Sequence, residues 1–175
     1  MGEKDYLYKN SLWEESTRVP LIMRVPGVSI PDSKVKKVVS LIDVYPTLMD
    51  FCGLSDDTLK NEKGRALDGH SLRTLIENPE AKIWKGEKPA LTVVYAGPEF
   101  KNDPTLQHYA IRTDRYRYIL YNNGKEELYD HQNDPNEWNN LVLDNPDDQN
   151  TLLEMRDQMA VMVSPLKLNG FISNN

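Results

Sequence analysis

The feature that most restricts this chain is a series of short β-forming segments joined by connections that leave room only for hairpins. Leu91-Thr92-Val93-Val94-Tyr95, Tyr109-Ala110-Ile111-Arg112-Thr113 and Tyr116-Arg117-Tyr118-Ile119-Leu120-Tyr121 are rich in β-branched and aromatic residues. Glu127-Leu128-Tyr129 follows Asn122-Asn123-Gly124, and Asn-Gly suits a tight hairpin turn. Parallel neighbours need a crossover of about a dozen residues or more, so the pattern predicts an antiparallel meander. A last helix is expected beyond it, capped by Asp147 or Asp148, with Leu152, Met155, Met159 and Met162 on one apolar stripe and its end near Ser164-Pro165. Residues 89–175 thus read as a small α+β subdomain of antiparallel sheet plus terminal helix.

The first part reads differently. Val19 to Val25 is a short apolar run stopped by Pro26-Gly27, read as a buried strand that Pro20 confines to a strand start or edge. Val38 to Ile42 offers a second strand or an extended approach to a helix. In that helix Asp43 is the expected cap, Val44, Leu48, Phe51 and Cys52 fall at near-helical spacing, Pro46 sits in the first turn and Gly53 closes. An amphipathic helix packing on a sheet follows from that pattern. Ser55 to Arg65 is charged and reads as an exposed loop. Ser71 then caps a short helix carrying Leu72, Leu75 and Ile76, stopped by Asn78-Pro79. Residues 1–78 therefore read as the end of an α/β layer with one or two strands. Such a layer is incomplete alone, so the chain is expected to belong to something larger.

Composition excludes several functions. A single cysteine, Cys52, rules out an internal disulfide framework and a cysteine-based zinc knuckle. No apolar stretch approaches the ~20 residues of a membrane span, and the N-terminal residues lack the apolar core of a signal peptide, so no membrane partner is expected. A net charge of −6 without a basic stripe argues against nucleic acid. The three histidines, His70, His108 and His131, lack the spacing of a helical metal pair. Asp130, Asp134 and Glu137 lie close together but without the central glycine of a calcium loop, which favours a polar turn. Cys52 reads as a small buried hydrophobe, and Tyr116, Tyr118 and Tyr121 as packing of the meander. From these residues alone no activity follows.

The segment Gly2-Glu3-Lys4-Asp5-Tyr6-Leu7-Tyr8-Lys9-Asn10-Ser11-Leu12-Trp13-Glu14-Glu15-Ser16-Thr17-Arg18-Val19-Pro20-Leu21 resembles the start of the C-terminal half of sulfatases, in particular bacterial ones similar to iduronate-2-sulfatase. The resemblance continues, in family order, through Ile42-Asp43-Val44-Tyr45-Pro46-Thr47-Leu48, Leu67-Asp68-Gly69-His70-Ser71-Leu72, His108 to Ile119, and Glu127 to Leu141. It implies an α/β class: the C-terminal portion of an alkaline-phosphatase-like sulfatase fold, with a small antiparallel-sheet plus helix subdomain.

The resemblance also implies chemistry. Such enzymes hydrolyse sulfate esters, here expected to be those of sulfated carbohydrate, with a formylglycine nucleophile beside a Ca2+ ion. Cys52 is followed by Gly53-Leu54-Ser55-Asp56, without the Pro and Arg of the formylglycine motif, and no metal ligand is assigned in this chain. Both groups are therefore expected in the N-terminal sulfatase half of a complete parent, the chain alone is expected to be inactive, and the parent is expected to be periplasmic or extracellular. Lys9 stands where the family has a sulfate-binding lysine, although Tyr6 and Leu7 replace the His and Trp of many relatives. His70, His108 and Arg112 are further substrate-side candidates, Arg112 having pairing with a nearby acid as its alternative. The competing functions are a carbohydrate-binding or pairing module without catalysis, and another alkaline-phosphatase-like esterase acting on phosphate or phosphonate.

Overall fold

The computed structural model describes residues 3–7, 9–55, 64–86, 88–100, 103–144 and 149–163. The chain forms two units, one of Met1–Pro20 with Leu91–Asn175 and one of Leu21–Ala90. The class is mixed α/β, as expected, and the sheet is the expected meander.

In the first unit a short helix α1 (Glu14–Thr17) precedes the sheet. Four strands, β1 (Ala90–Val94), β2 (His108–Arg112), β3 (Tyr116–Leu120) and β4 (Glu126–Asp130), lie side by side in chain order. The β2–β3 and β3–β4 pairs are antiparallel, with Ile111 opposite Tyr118 and Tyr118 opposite Leu128. The β3–β4 turn closes as the Asn-Gly pair suggests. Gly124 takes a left-handed φ of 79°, its amide donates to the Tyr121 carbonyl, and Tyr121 N–H donates to the Lys125 carbonyl.

Strand alternation gives the sheet two different faces. Tyr109, Ile111, Tyr118, Leu120 and Leu128 point to one side and pack with Met155 and Met159 of the last helix (Gln149–Met162) and with Val163. Tyr118, Tyr116 and Tyr121 are packing residues, and burial pushes the Tyr118 and Tyr121 hydroxyls well above the usual tyrosine range. The expected helix cap at Asp147 or Asp148 and the end at Ser164-Pro165 lie outside the described residues.

The second unit departs from expectation in several places. Val19 to Val25 forms no strand: no described residue of the unit offers it a ladder partner, Ile22 is 91% exposed, and only Met23 reaches the core of Leu72, Leu75 and Trp84. Of the two readings of Val38 to Ile42, the extended approach to a helix holds: Val38–Ser40 runs into a 3-10 turn, Leu41–Asp43. The following helix, Val44–Phe51, buries Thr47 and Met49 where the pattern indicated Leu48 and Cys52, both of which are exposed. Its partner is not a sheet but the short helix Arg73–Glu77: the Thr47 hydroxyl accepts from Leu72 N–H at 2.8 Å, and Arg73 Nε donates to Asp50 at 2.8 Å.

Asp43 also has a different task from the expected cap. Its buried carboxylate accepts from the amides of Ser40 (2.8 Å) and His70 (2.9 Å), tying two distant turns together. Gly69 makes this possible, since a Cβ there would stand 2.2 Å from the Ile42 carbonyl oxygen. Ser71 does serve the next helix start, accepting from Arg73 N–H at 3.2 Å.

Candidate functional site

The face of the sheet opposite the apolar core carries His108, Ala110 and Arg112 of β2, Arg117 and Ile119 of β3, and Glu127 and Tyr129 of β4, adjacent in register. The N-terminal segment that contains Lys9 lies on this face. Leu12 is buried among Ala110, Ile119 and Tyr129. Trp13 Nε1 donates to Glu127 Oε2 at 2.7 Å, and Lys4 Nζ donates to the Tyr129 hydroxyl at 2.8 Å while lying over its ring. Lys4 and Asp5 take left-handed backbone conformations, φ 53° and 56°, which residues other than glycine rarely adopt.

At one end of that face is a buried network of opposite charges. Arg112 and Arg117 are cross-strand partners, a repulsive pairing on its own. The Glu14 carboxylate lies between them, 3.4 Å from Arg112 Nε and bonded to Arg117 Nη2. Burial works against the Glu14 charge, yet the hydrogen bond and charge of Arg117 prevail and hold its carboxyl below the ordinary range. Glu137, from the loop after β4, supplies the second negative charge. Its carboxylate lies 2.7 Å from Arg117 Nε, off the hydrogen-bond axis, 2.8 Å from His131 Nε2, and accepts the Glu14 amide at 2.9 Å. Two guanidinium and two carboxylate groups thus balance. The Asp130–Glu137 stretch is the polar turn expected, Asp130 receiving Arg115 Nε and Nη2 at 3.0 and 2.7 Å.

Glu14, His131 and Glu137 have ligand-type atoms within 4.8 Å of one another, so their fit to a calcium ion can be tested. They do not fit. Calcium takes about six to eight oxygens, whereas both carboxylates here face the Arg117 guanidinium, which a cation would have to displace.

The sequence candidates occupy distinct places. Lys9 is exposed, in a turn whose backbone is tethered: its carbonyl accepts from Ser11 N–H at 2.8 Å and from the Ser16 hydroxyl of α1. Arg112 meets the same segment through Glu14, and its Nη1 also bonds the Thr113 carbonyl. His108 shares the face, but its Nδ1 accepts Asn122 N–H at 3.1 Å and its ring packs edge-on against Tyr121; burial lowers its pKa and favours the neutral ring. His70 belongs to the other unit, its amide bound by Asp43. Sequence reasoning did not single out Arg117 or Glu14, and took Glu137 only as part of a polar turn. The available signal was Arg117 itself, on an alternation that places it beside buried Ile119, where a guanidinium needs counter-charges.

A family model described as N-sulphoglucosamine sulphohydrolase, C-terminal, matches residues 2–164. The chain belongs to that family. Consistent with a sulphohydrolase C-terminal region, it is similar to a sulfatase of Formosa agariphila, 33% identical over 140 residues that make up 80% of this chain and 24% of that protein. It is also similar to an N-acetylglucosamine-6-O-sulfatase of Bacteroides thetaiotaomicron, 32% identical over 143 residues, 81% of this chain and 24% of that one. The chain therefore spans about a quarter of the length of these relatives. A solved protein in complex with its substrate D-glucosamine-2-N,6-O-disulfate superposes on 99% of this chain and 34% of its own, at a TM-score of 0.76 and 26% identity. Among the described residues, no helix is long and apolar enough to cross a membrane.

Proposed function

We propose that this chain is the C-terminal part of a sulfatase acting on sulfated carbohydrate, in which Lys9 contacts the sulfate group. The observation that carries the reading is the superposition of nearly the whole chain on a protein bound to a disulfated glucosamine. An ammonium with three donors suits the task, since it neutralises charge on the ester oxygens as the sulfuryl group transfers and stabilises the leaving oxygen. The exposed, tethered turn at Lys9 supports this role.

In the complete enzyme a formylglycine would supply the nucleophile and Ca2+ would polarise the sulfate. Neither is assigned to residues of this chain: Cys52 lacks the Pro and Arg that mark a formylglycine precursor, and the Glu14–His131–Glu137 cluster is occupied by Arg117. The isolated chain should therefore show no turnover. An apolar surface on the second unit supports a larger parent, with Ile22, Leu41, Ile42, Tyr45 and Leu48 all exposed and in need of cover. The parent is proposed to work in the periplasm or outside the cell.

The test is aryl sulfate hydrolysis by a complete sulfatase containing this chain, with and without Lys9→Ala. The substitution should lower kcat/KM by about 100-fold or more while leaving the fold intact. Unchanged kinetics would remove Lys9 from the site, and turnover by the pure 175-residue chain would refute the division of labour.

A further inference from the structure

The contacts between the sheet and Lys9 form an unbroken series. Arg117, 2% exposed on β3, takes hold of the N-terminal segment at three successive points. Its Nη1 donates to the Leu12 carbonyl at 2.9 Å, while Nη2 donates to the Glu14 carboxylate and to the Thr17 hydroxyl at 3.0 Å. Glu137 fixes the same segment through the Glu14 amide, and Ser16, inside the held stretch, returns its hydroxyl to the Lys9 carbonyl.

We propose that Arg117 is a positioning residue for Lys9: it locks the Leu12–Thr17 stretch to the sheet, so that the Lys9 turn stands in one place when sulfate is engaged. The proposal rests on the reading of Lys9 as the sulfate contact.

The neighbours on this face, Ala110, Ile119 and Tyr129, are a buried hydrophobic cluster, so packing alone calls for no charge at this position; removing Arg117 by itself leaves the Glu14 and Glu137 carboxylates without their main partner and lowers the stability of the whole unit. What the guanidinium adds is direction. Its planar fork presents several donors at fixed angles, so one side chain can bind a carbonyl, a carboxylate and a hydroxyl of a facing backbone stretch. Lys9 itself is exposed; its carbonyl is held by Ser11 and Ser16, and the neighbouring Asn10 carbonyl accepts the Tyr6 hydroxyl at 2.9 Å. Catalytic geometry is unforgiving, a displacement of about 1 Å being enough to lower a rate by about 100-fold.

The first experiment uses the 175-residue chain and amide hydrogen exchange of wild type and Arg117→Met. The amides of Ser11, Ser16, Thr17 and Arg18, which bond within the segment, should exchange at least about ten-fold faster over and above the acceleration that β2 to β4 share through the lower stability of the unit. Equal acceleration throughout the unit would show a general structural role and overturn the proposal, as would an unchanged segment. The second is a double-mutant cycle on aryl sulfate hydrolysis in a complete sulfatase containing this chain. Arg117→Met should lower kcat/KM about ten-fold or more, chiefly through kcat, when Lys9 is present, and by less than about two-fold in the Lys9→Ala background. Equal losses in both backgrounds overturn the proposal. A Lys9→Ala variant with full activity is a different failure, because it removes the sulfate contact itself. Should Arg117→Met not fold, Ser16→Ala breaks the same series at its far end, with the same non-additivity expected and the same additive result refuting it.

Discussion

Replacing Glu137 by alanine tests whether the buried charge network holds the first unit together. Glu137 is 2% exposed and faces three partners: Arg117 Nε at 2.7 Å, His131 Nε2 at 2.8 Å and the Glu14 amide at 2.9 Å. Removing one side of a buried ion pair costs about 3–5 kcal/mol, because the remaining charge stays buried without compensation. Arg117 keeps the Glu14 carboxylate, which places the expected loss near the lower end, about 3 kcal/mol. Against a total stability of about 5–15 kcal/mol that is a large fraction. With a urea dependence of about 2 kcal/mol per molar, the midpoint should fall by about 1.5 M. The methyl resonances of Ile111, Ile119 and Leu128 report this unit alone, all three lying in its sheet. Glu137→Gln keeps an oxygen for the Glu14 amide but loses the charge, and should fall between wild type and alanine. A midpoint for Glu137→Ala within about 0.3 M of wild type would refute the reasoning, since the network would then contribute little.

Three further outcomes are expected. Gly69→Ala should destabilise the second unit by about 1–3 kcal/mol, because its Cβ would meet the Ile42 carbonyl oxygen at 2.2 Å and push apart the turns joined by Asp43; urea unfolding followed by the fluorescence of Trp84, in the core of that unit, measures it. Cys52 should react with a thiol reagent in the folded protein as readily as after denaturation, since it is exposed; strong protection would refute the placement. Urea midpoints should decrease as pH falls below about 4.5. Glu14 and Glu126, each half-buried but held low by an arginine, and Asp130, held low by Arg115, bind protons more weakly folded than unfolded, so their contribution is present above the unfolded pKa and lost through the lower folded one. His108 has its pKa lowered by burial and works with the same sign from about pH 6.5 downward, so a midpoint that rises on acidification would contradict the network.

The meander was legible because its information is local. Short β-rich runs, the Asn-Gly turn and the Met155–Met159 stripe each act through neighbours a few residues away. The Val19–Val25 stretch was misread for the complementary reason: an apolar run forms a strand only if another strand is beside it, and none of the described residues of the second unit supplies one. Cys52 and Leu48 have the spacing of a buried face, yet the helix turns Thr47 and Met49 inward because Thr47 satisfies the Leu72 amide. At the candidate site, Lys9 was visible only through family resemblance, while its support was not visible at all. Arg117 and Glu14 carry no local pattern that pairs them, and their partnership spans 103 positions of sequence.

The way the first unit is assembled has a consequence for how the chain is made. Glu14 must wait for Glu137, which follows it by 123 positions, and the whole of Leu21–Ala90 is synthesised in between. At about 5–20 residues per second, the Lys9 segment would leave the ribosome roughly 6–25 s before its counter-charges exist. During that interval Leu12 and Trp13 have no sheet to cover, and the long closure that later brings them home is the entropically demanding step of folding. A cell producing this chain therefore carries an exposed apolar segment, a natural client for a chaperone, until β4 and the loop beyond it have emerged.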